Sequence, residues 1–489
     1  LKGERLLLGL ILAAYVVLGV LYAAYTPPWQ VPDEPAHYNY VRALVEEGAF
    51  PVMEPGDYDQ AYLQQITDQQ NPFPQELSID PITYEDHQPP LYYVLSALVY
   101  LSSEGALLPM RLLSVAMGLG LLLVVYGLVR DLFPDRPVLA LWTTAFVAFV
   151  PQHLAMLAGV ENDALAELLV AASLWMAVRY VQGKTTGRQF LIGWGMTLGL
   201  ILVTKVSGYV ALPVALLAVV LRARRERRSL RWAAKEFGWI ALVAMLLSAP
   251  WFLRNVRLYG LTDPLGTARH NSVVVGQPLS VDWVAEYGLF GLLGRMARTT
   301  FQSFWGQFGW MGVPLHASIY LGLLILSAVL AAGCVGWLID ERCREMDQTQ
   351  REGVSLLAAS TFLTVLLFLA YNLTFVQHQG RYLFPALMPI GLAAALGLEW
   401  LLSDRVARWA AIVLLGLACA LALWGVVRGD LPLVPMAGAF GLATIFGLAA
   451  LVRRRWERWL SMGALVLALV ALDVYALFWA IVPTLGGMR

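Results

Sequence analysis

The sequence predicts an all-α polytopic integral membrane protein, and three observations lead there. Of 489 residues, 59% are hydrophobic and only 14% charged. That is too apolar for a soluble chain of this length. The mean hydropathy is correspondingly high, at +0.64. Finally, apolar runs of roughly 20 residues recur along the chain, the length a helix needs to cross a bilayer. The net charge is zero, so nothing in the composition points to nucleic acid.

Spans are expected at about 6–25, 111–129, 137–156, 163–182, 188–204, 207–222, 236–253, 318–339, 353–373, 382–402, 409–427, 433–452 and 459–482. The first follows Lys2 and Arg5 and has no small-residue cleavage site after it. It therefore reads as a retained span rather than a signal peptide. One further apolar segment, "PPLYYVLSALVYL" from Pro89 to Leu101, is short for a crossing. If it crossed, the basic loops "RARRERR" (222–228), "DERCRE" (340–345), "SDRVAR" (403–408) and "RRRWER" (453–458) would lie outside. Left uncrossed, it is an interfacial or re-entrant helix on the outer face. The basic loops then join the N-terminus in the cytoplasm, as the positive-inside rule requires. The expectation is about 13 transmembrane helices with outer-face juxtamembrane helices.

Two outer loops are long. The first, about 26–110, carries thirteen acidic residues and a single basic one, Arg42. The second, about 254–317, is rich in aromatics ("FQSFWGQFGW", 301–310) and is expected to lie along the interface as short amphipathic helices. Residues 1–405 read as the catalytic transmembrane module and 406–489 as C-terminal scaffold helices. The three cysteines, Cys334, Cys343 and Cys419, have neither metal spacing nor a disulfide pattern.

The polar residues sort by side. All six histidines fall on or near the outer face, as do the motif-like clusters. "PDEPAH" holds Asp33, Glu34 and His37, and "YEDHQPPLYY" holds Glu85, Asp86, His87 and Gln88. "GVENDALAE" holds Glu161, Asn162, Asp163 and Glu167, and "TKVSG" holds Lys205. "PWFLRNVRLYG" holds Arg254, and "VQHQGRYLFP" holds His378, Arg381 and Tyr382. Each cluster ends or begins a span, so the topology can gather them at one mouth. Carboxylates can take a proton from a nucleophile while cations hold an anionic leaving group.

Each residue also has an ordinary reading. Asp33 could be a solvated loop acid, although Pro32 and Pro35 make its turn rigid. Asn162 could cap a helix whose dipole Asp163 complements. Glu167 shares a face with Asp163 and could simply bond between helices. His87 could be an interfacial aromatic. Lys205 and Arg254 could snorkel to headgroups. Arg381 offers a guanidinium fork matched to phosphate oxygens. Asp33, Asp163 and His87 are candidate ligands for a divalent ion, Mg, Mn or Zn.

The ordered set "PPWQVPDEPAHYNYVRALVEEG", "HQPPLYYVL", "ENDAL", "TKVSG" and "HQGRYLFPAL" resembles the GT-C superfamily of membrane glycosyltransferases. It is similar to the bacterial branch of protein O-mannosyltransferases and the lipid A aminoarabinose transferase, over roughly residues 6–400. The resemblance implies a polyprenyl-phosphate-linked sugar as donor (undecaprenyl phosphate being the bacterial carrier), used on the outer face of a bacterial inner membrane with inversion at the anomeric carbon. It makes Asp33 the candidate base, Asp163 the second acid of the next outer loop, and Arg381 a lipid-phosphate ligand. Lys205 and Arg254 are further phosphate candidates. Glu34, His37, Asp86, His87, Asn162, His378 and Tyr382 are expected beside the substrate or behind those groups. Gln88 stands where the aminoarabinose transferases often carry a basic residue, a departure from the pattern.

The expected function is therefore sugar transfer from a polyprenyl phosphate to an acceptor glycan, lipid or protein. A secondary transporter would place its ionisable groups near the midplane instead. A phosphoethanolamine transferase would need a large soluble domain that these loops do not provide. A non-catalytic GT-C relative is the remaining alternative.

Overall fold

The computed structural model describes residues 2–67, 77–185, 187–340, 345–451 and 455–486. Eleven helices among them are long and apolar enough to cross a membrane, from Gly3–Tyr25 to Gly463–Gly486. A twelfth candidate span, α6 (Pro137–Ala148) with α7 (Pro151–Leu157), is bent by 67° between its two helices. The break falls where Pro151 cannot donate to a carbonyl of the preceding turn.

The expected span 188–204 forms as α9, Arg188–Leu202, with only 15 residues. At about 1.5 Å per residue it reaches about 22 Å. It still joins the two ends of the bundle. Lys184 before it pairs with Asp131, and Lys205 after it pairs with Asp163 at the far end of α8, Asp163–Val181. It lies tightly against α11, Leu230–Tyr259. A Cβ on Gly195 would fall 2.6 Å from the Ile240 carbonyl oxygen.

The segment expected not to cross forms α4, Leu91–Ser102. It packs along α2 (Glu34–Glu46) and the start of α5 (Leu107–Leu132), with Tyr92 and Tyr93 buried. Tyr93 meets His37 near its start, and Tyr100 reaches Glu46 near its end. Both of its ends therefore lie alongside α2, at one end of the bundle.

Polar contacts mark the two ends. At one, Arg130 pairs with Glu4 at 2.7 Å, Arg136 with Glu399 at 3.7 Å, and Arg225 with Glu352. The other end carries the outer-loop elements. The first loop adds α3, Gln60–Ile66; the second adds α12, Thr267–Val273. A small apolar cluster of Ala36, Met53, Ile66, Ile82, Tyr84, Val273 and Val274 joins the two loops. The second loop was expected as short helices; it instead contains the 26-residue α13, Ser280–Trp305, broken at Gly288. The hairpin β1 (Gln307–Phe308) and β2 (Val313–Pro314) follows it.

The chain then crosses as α14 (Ala317–Ile339), α15 (Gln348–Asn372) and, after a 3₁₀ turn at Gly380–Ala386, α16 (Leu387–Leu401). α17 (Asp404–Arg428) pairs with α18 (Leu433–Leu451), which also packs on α14. α19, Arg455–Tyr475, continues through a π-helical segment into α20, Val482–Gly486. Cys334 and Cys419 are free thiols; Cys343 lies outside the described residues.

Gly195→Val should separate α9 from α11, costing about 1–3 kcal/mol by overpacking. Thermal unfolding in detergent checks it, with Gly193→Val, whose site is nearly open, as the control that stays near wild type.

Candidate active site

The site is built on the turn that leads into α2. Pro32 and Pro35 flank a residue at the helix N-cap, and that residue, Asp33, has φ of 68°. A left-handed conformation is uncommon outside glycine, and aspartate tolerates it better than most residues. The Asp33 side chain does not cap its own helix. It turns away, accepts a 2.7 Å hydrogen bond from the Tyr84 hydroxyl, and pairs with Arg381.

Glu34 has a separate task. Arg111 of α5 donates from Nε at 2.7 Å and Nη2 at 2.6 Å to its two oxygens. The Val160 and Trp29 backbone N–H groups donate to the same carboxylate. Glu34 is 0% and Arg111 2% exposed. This charge is fully paired and anchors the turn, the first span and the loop before α8 to one another. Arg111 also donates to the carbonyls of Ala23, Thr26 and Pro27.

From Asp33 the network runs on through Arg381. Its Nη1 lies 3.9 Å from Glu161, its Nε donates to Gln379 at 2.7 Å, and its guanidinium stacks on Tyr382. Arg381 is delivered by Gly380. A Cβ there would fall 2.4 Å from both the Thr300 carbonyl oxygen and the Phe304 nitrogen of α13, so only glycine lets the chain pass. Glu161 is the hub. One oxygen meets His37 Nε2 and Lys205 Nζ, each at 3.2 Å, and the other has no hydrogen-bond partner among the described residues. Lys205 bridges onward to Asp163 at 2.7 Å. His37 Nδ1 lies 2.8 Å from the Tyr93 hydroxyl.

Burial alone would raise these carboxyls, but their partners oppose it. At Asp33 burial is the largest single influence, but Arg381, His37 and the Tyr84 hydrogen bond together outweigh it and hold the group below the usual carboxylate range. At Glu161, His37, Lys205 and Arg381 do the same. Burial favours neutral His37, yet Glu161 raises it above the ordinary imidazole value. Glu85 Oε2 is buried with no hydrogen-bond partner among the described residues. Burial, with the nearby Asp33 and Glu161 charges, pushes it up to about 7 against His37 and Lys205.

The structure thus gathers Asp33, Glu34, His37, Asp163, Lys205, Arg381 and Tyr382. Asn162 joins through 3.4 Å contacts to Gln88 and Tyr93, and does not cap α8. His378 lies two residues before Gly380 with its ring against Trp283 and a buried Nε2 lacking a hydrogen bond among the described residues. Arg254 is not part of the network. It stacks on Trp251 and holds the Phe50 and Pro51 carbonyls, so it braces the first loop. Asp86 and His87 turn aside as well. The His87 ring packs at a tilt against His270, centroids 4.3 Å apart, and burial pushes Asp86 up to about 8.

The metal expectation does not fit this donor set. Arg381 and Tyr84 occupy Asp33, Lys205 occupies Asp163, and His87 lies apart. Among the described residues no group of three or more His, Cys, Asp or Glu side chains is arranged to hold a metal ion.

An apolar cavity of about 510 Å³ opens beside the Arg381 turn, between α13, α14 and α15. Met296, Thr300, Phe304, Phe368 and Leu383 line it. Thr300 also donates to the His378 carbonyl, which ties the cavity wall to the site.

The sequence matches the family described as "Predicted membrane protein (DUF2142)" over residues 58–390. No curated protein matches it significantly. Among solved structures it resembles ArnT from Cupriavidus metallidurans bound to undecaprenyl phosphate, with a TM-score of 0.55 at 16% identity, covering 99% of this chain and 77% of that one. Against ArnT in the apo state the TM-score is 0.51 at 16% identity, covering 99% and 76%. The Archaeoglobus fulgidus oligosaccharyltransferase complex with Zn and sulfate aligns at a TM-score of 0.47 and 13% identity, covering 93% and 53%. The chain shares the overall membrane fold of the ArnT structures.

Glu85 supplies a pH test. Its folded value lies above the unfolded one, so its contribution is present below about pH 4.3 and lost as pH rises through about 7. Glu85→Gln should therefore match wild type at pH 4.5 and melt a few degrees higher at pH 8. Thermal melts at the two pH values check it.

Proposed function

The chain belongs to the DUF2142 family of membrane proteins, and we propose that it is a glycosyltransferase that moves a sugar from a polyprenyl-phosphate donor to an acceptor hydroxyl or amine. One observation carries this reading. Asp33 and Arg381, residues 348 apart in sequence, meet at one mouth of the bundle beside an apolar cavity of about 510 Å³. A base, a phosphate-matched cation and a slot for a lipid tail thereby adjoin. The likeness in fold to ArnT, solved with undecaprenyl phosphate bound, supports that donor class.

In this reaction the lipid tail lies against Met296, Phe304 and Phe368, and the donor phosphate reaches Arg381. Phosphate and Asp33 compete for one guanidinium, so donor binding releases the carboxylate. Asp33 takes the proton from the acceptor O–H (or N–H). The acceptor heteroatom bonds to the anomeric carbon as the C1–O bond to phosphate breaks. The electron pair leaves on the polyprenyl phosphate, where Arg381 stabilises it, and Lys205 can assist. Attack opposite the leaving group inverts the anomeric carbon. Ionised Glu161 and Asp163 stabilise positive charge developing on the sugar. No step is assigned to a metal.

The site mouth faces outward and the Arg130, Arg136 and Arg225 end faces the cytoplasm, following the distribution of basic loops. In a bacterium the membrane is the inner one. The acceptor is a glycan, lipid or protein presented on the outer face.

Asp33→Asn should lower transfer by at least about 10²–10⁴-fold while undecaprenyl phosphate still binds. Arg381→Met should weaken that binding by about tenfold or more. Transfer from a radiolabelled polyprenyl-phosphate sugar, together with lipid binding to the purified variants, provides both readouts. Near-normal turnover of Asp33→Asn would remove Asp33 as the base.

A further inference from the structure

Below the site lies a second buried acid–base pair that the proposed reaction does not use. His153 of α7 is fully buried, and its Nε2 lies 2.8 Å from Glu167 Oε2 on α8. Its Nδ1 lies 2.8 Å from the Val147 carbonyl oxygen. In an unbroken helix that carbonyl would accept from residue 151, but Pro151 has no N–H. A carbonyl can only accept, so Nδ1 carries the hydrogen. One proton must then lie between Nε2 and Oε2, because without it two lone pairs would face each other. The helix break thus orients the ring, with Nδ1–H on the Val147 carbonyl and Nε2 aimed at Glu167.

Three segments of the site meet here. α7 leads through Val160 to Glu161. Glu167 stands one turn beyond Asp163 on α8. Phe384, in the 3₁₀ turn that carries Arg381, packs its edge on the His153 ring at 5.1 Å. We infer that the His153–Glu167 pair is a positioning device that holds Glu161, Asp163 and Arg381 in register through the hydrogen bond between its two side chains. This rests on the glycosyl-transfer reading for its activity readout alone; phosphate binding reads it independently.

The test measures undecaprenyl phosphate binding and sugar transfer for Glu167→Gln, Glu167→Ala and His153→Phe in the full chain. The amide in Glu167→Gln can donate to Nε2 and preserve the bond without a mobile proton. It is expected to stay within about threefold of wild type in both assays. Glu167→Ala is expected to lose about tenfold or more in transfer and severalfold in binding, as small misplacements do. His153→Phe keeps a ring against Phe384 but neither hydrogen bond, and should resemble Glu167→Ala even if that variant does not accumulate. Wild-type behaviour of folded His153→Phe would overturn the inference. So would a Glu167→Gln variant as impaired as Glu167→Ala, since the proton itself would then be at work. Absence of transfer in wild type, with the binding pattern intact, would count against the proposed function and leave the positioning role standing.

Discussion

The site depends on the buried bond between Glu34 and Arg111. A carboxylate with no exposed surface survives only where its charge is neutralised and its oxygens are bonded. Arg111 does both in bidentate fashion, and two backbone N–H groups complete the shell. Those donors belong to α5, to the turn at Trp29 and to the loop at Val160. A single acidic side chain thus ties three segments that sequence separates widely. Asp33, its neighbour, inherits a fixed position, and so does Glu161, one residue beyond Val160. Removal of either partner would leave a bare charge in the interior, the costliest kind of loss for such a pair.

The same constraint explains why the site's charges occur together. Apart from isolated cases such as Asp473 in α19, the buried ions occupy segment ends where an opposite charge or a polar hydrogen can reach them. Asp33 has Arg381 and Tyr84, Glu161 has His37 and Lys205, and Asp163 has Lys205. The chain ends its helices near one mouth, and the charges pair there with partners from other segments. Glycine makes one approach possible, since Gly380 lets the Arg381 turn pass against α13.

Sorting residues by predicted side was enough to expect that Asp33, His37, Asp163, Lys205 and Arg381 share one face, because span ends are legible from hydropathy. Pair identity was not. Arg111 reads in sequence as the first residue of a span, and nothing local says that its partner is Glu34. Glu161 was visible within "ENDAL", yet its place as hub depends on three partners from distant segments. Arg254 looked as free as Lys205, since both are cations at span ends; only the path of the first loop engages it with Phe50 and Pro51. α9 illustrates a different limit. Its apolar run announces a crossing, but its shortness reflects close packing on α11.

The ion pair at the mouth also has a directional consequence for the proposed chemistry. A buried guanidinium needs an anion at all times, and before a donor arrives Asp33 supplies it. While it does so, Asp33 is a weak base, held below the usual carboxylate range. A phosphate that replaces it at Arg381 satisfies the cation and removes the influence that suppresses Asp33. Burial and Glu161 then act unopposed by Arg381, and both raise its proton affinity. The left-handed backbone at Asp33 helps this exchange, because a side chain that does not cap its helix loses no helix bond when it moves. Base strength is therefore linked to occupancy of the phosphate position, and a site built this way has little capacity to deprotonate an acceptor, or water, until the donor is in place.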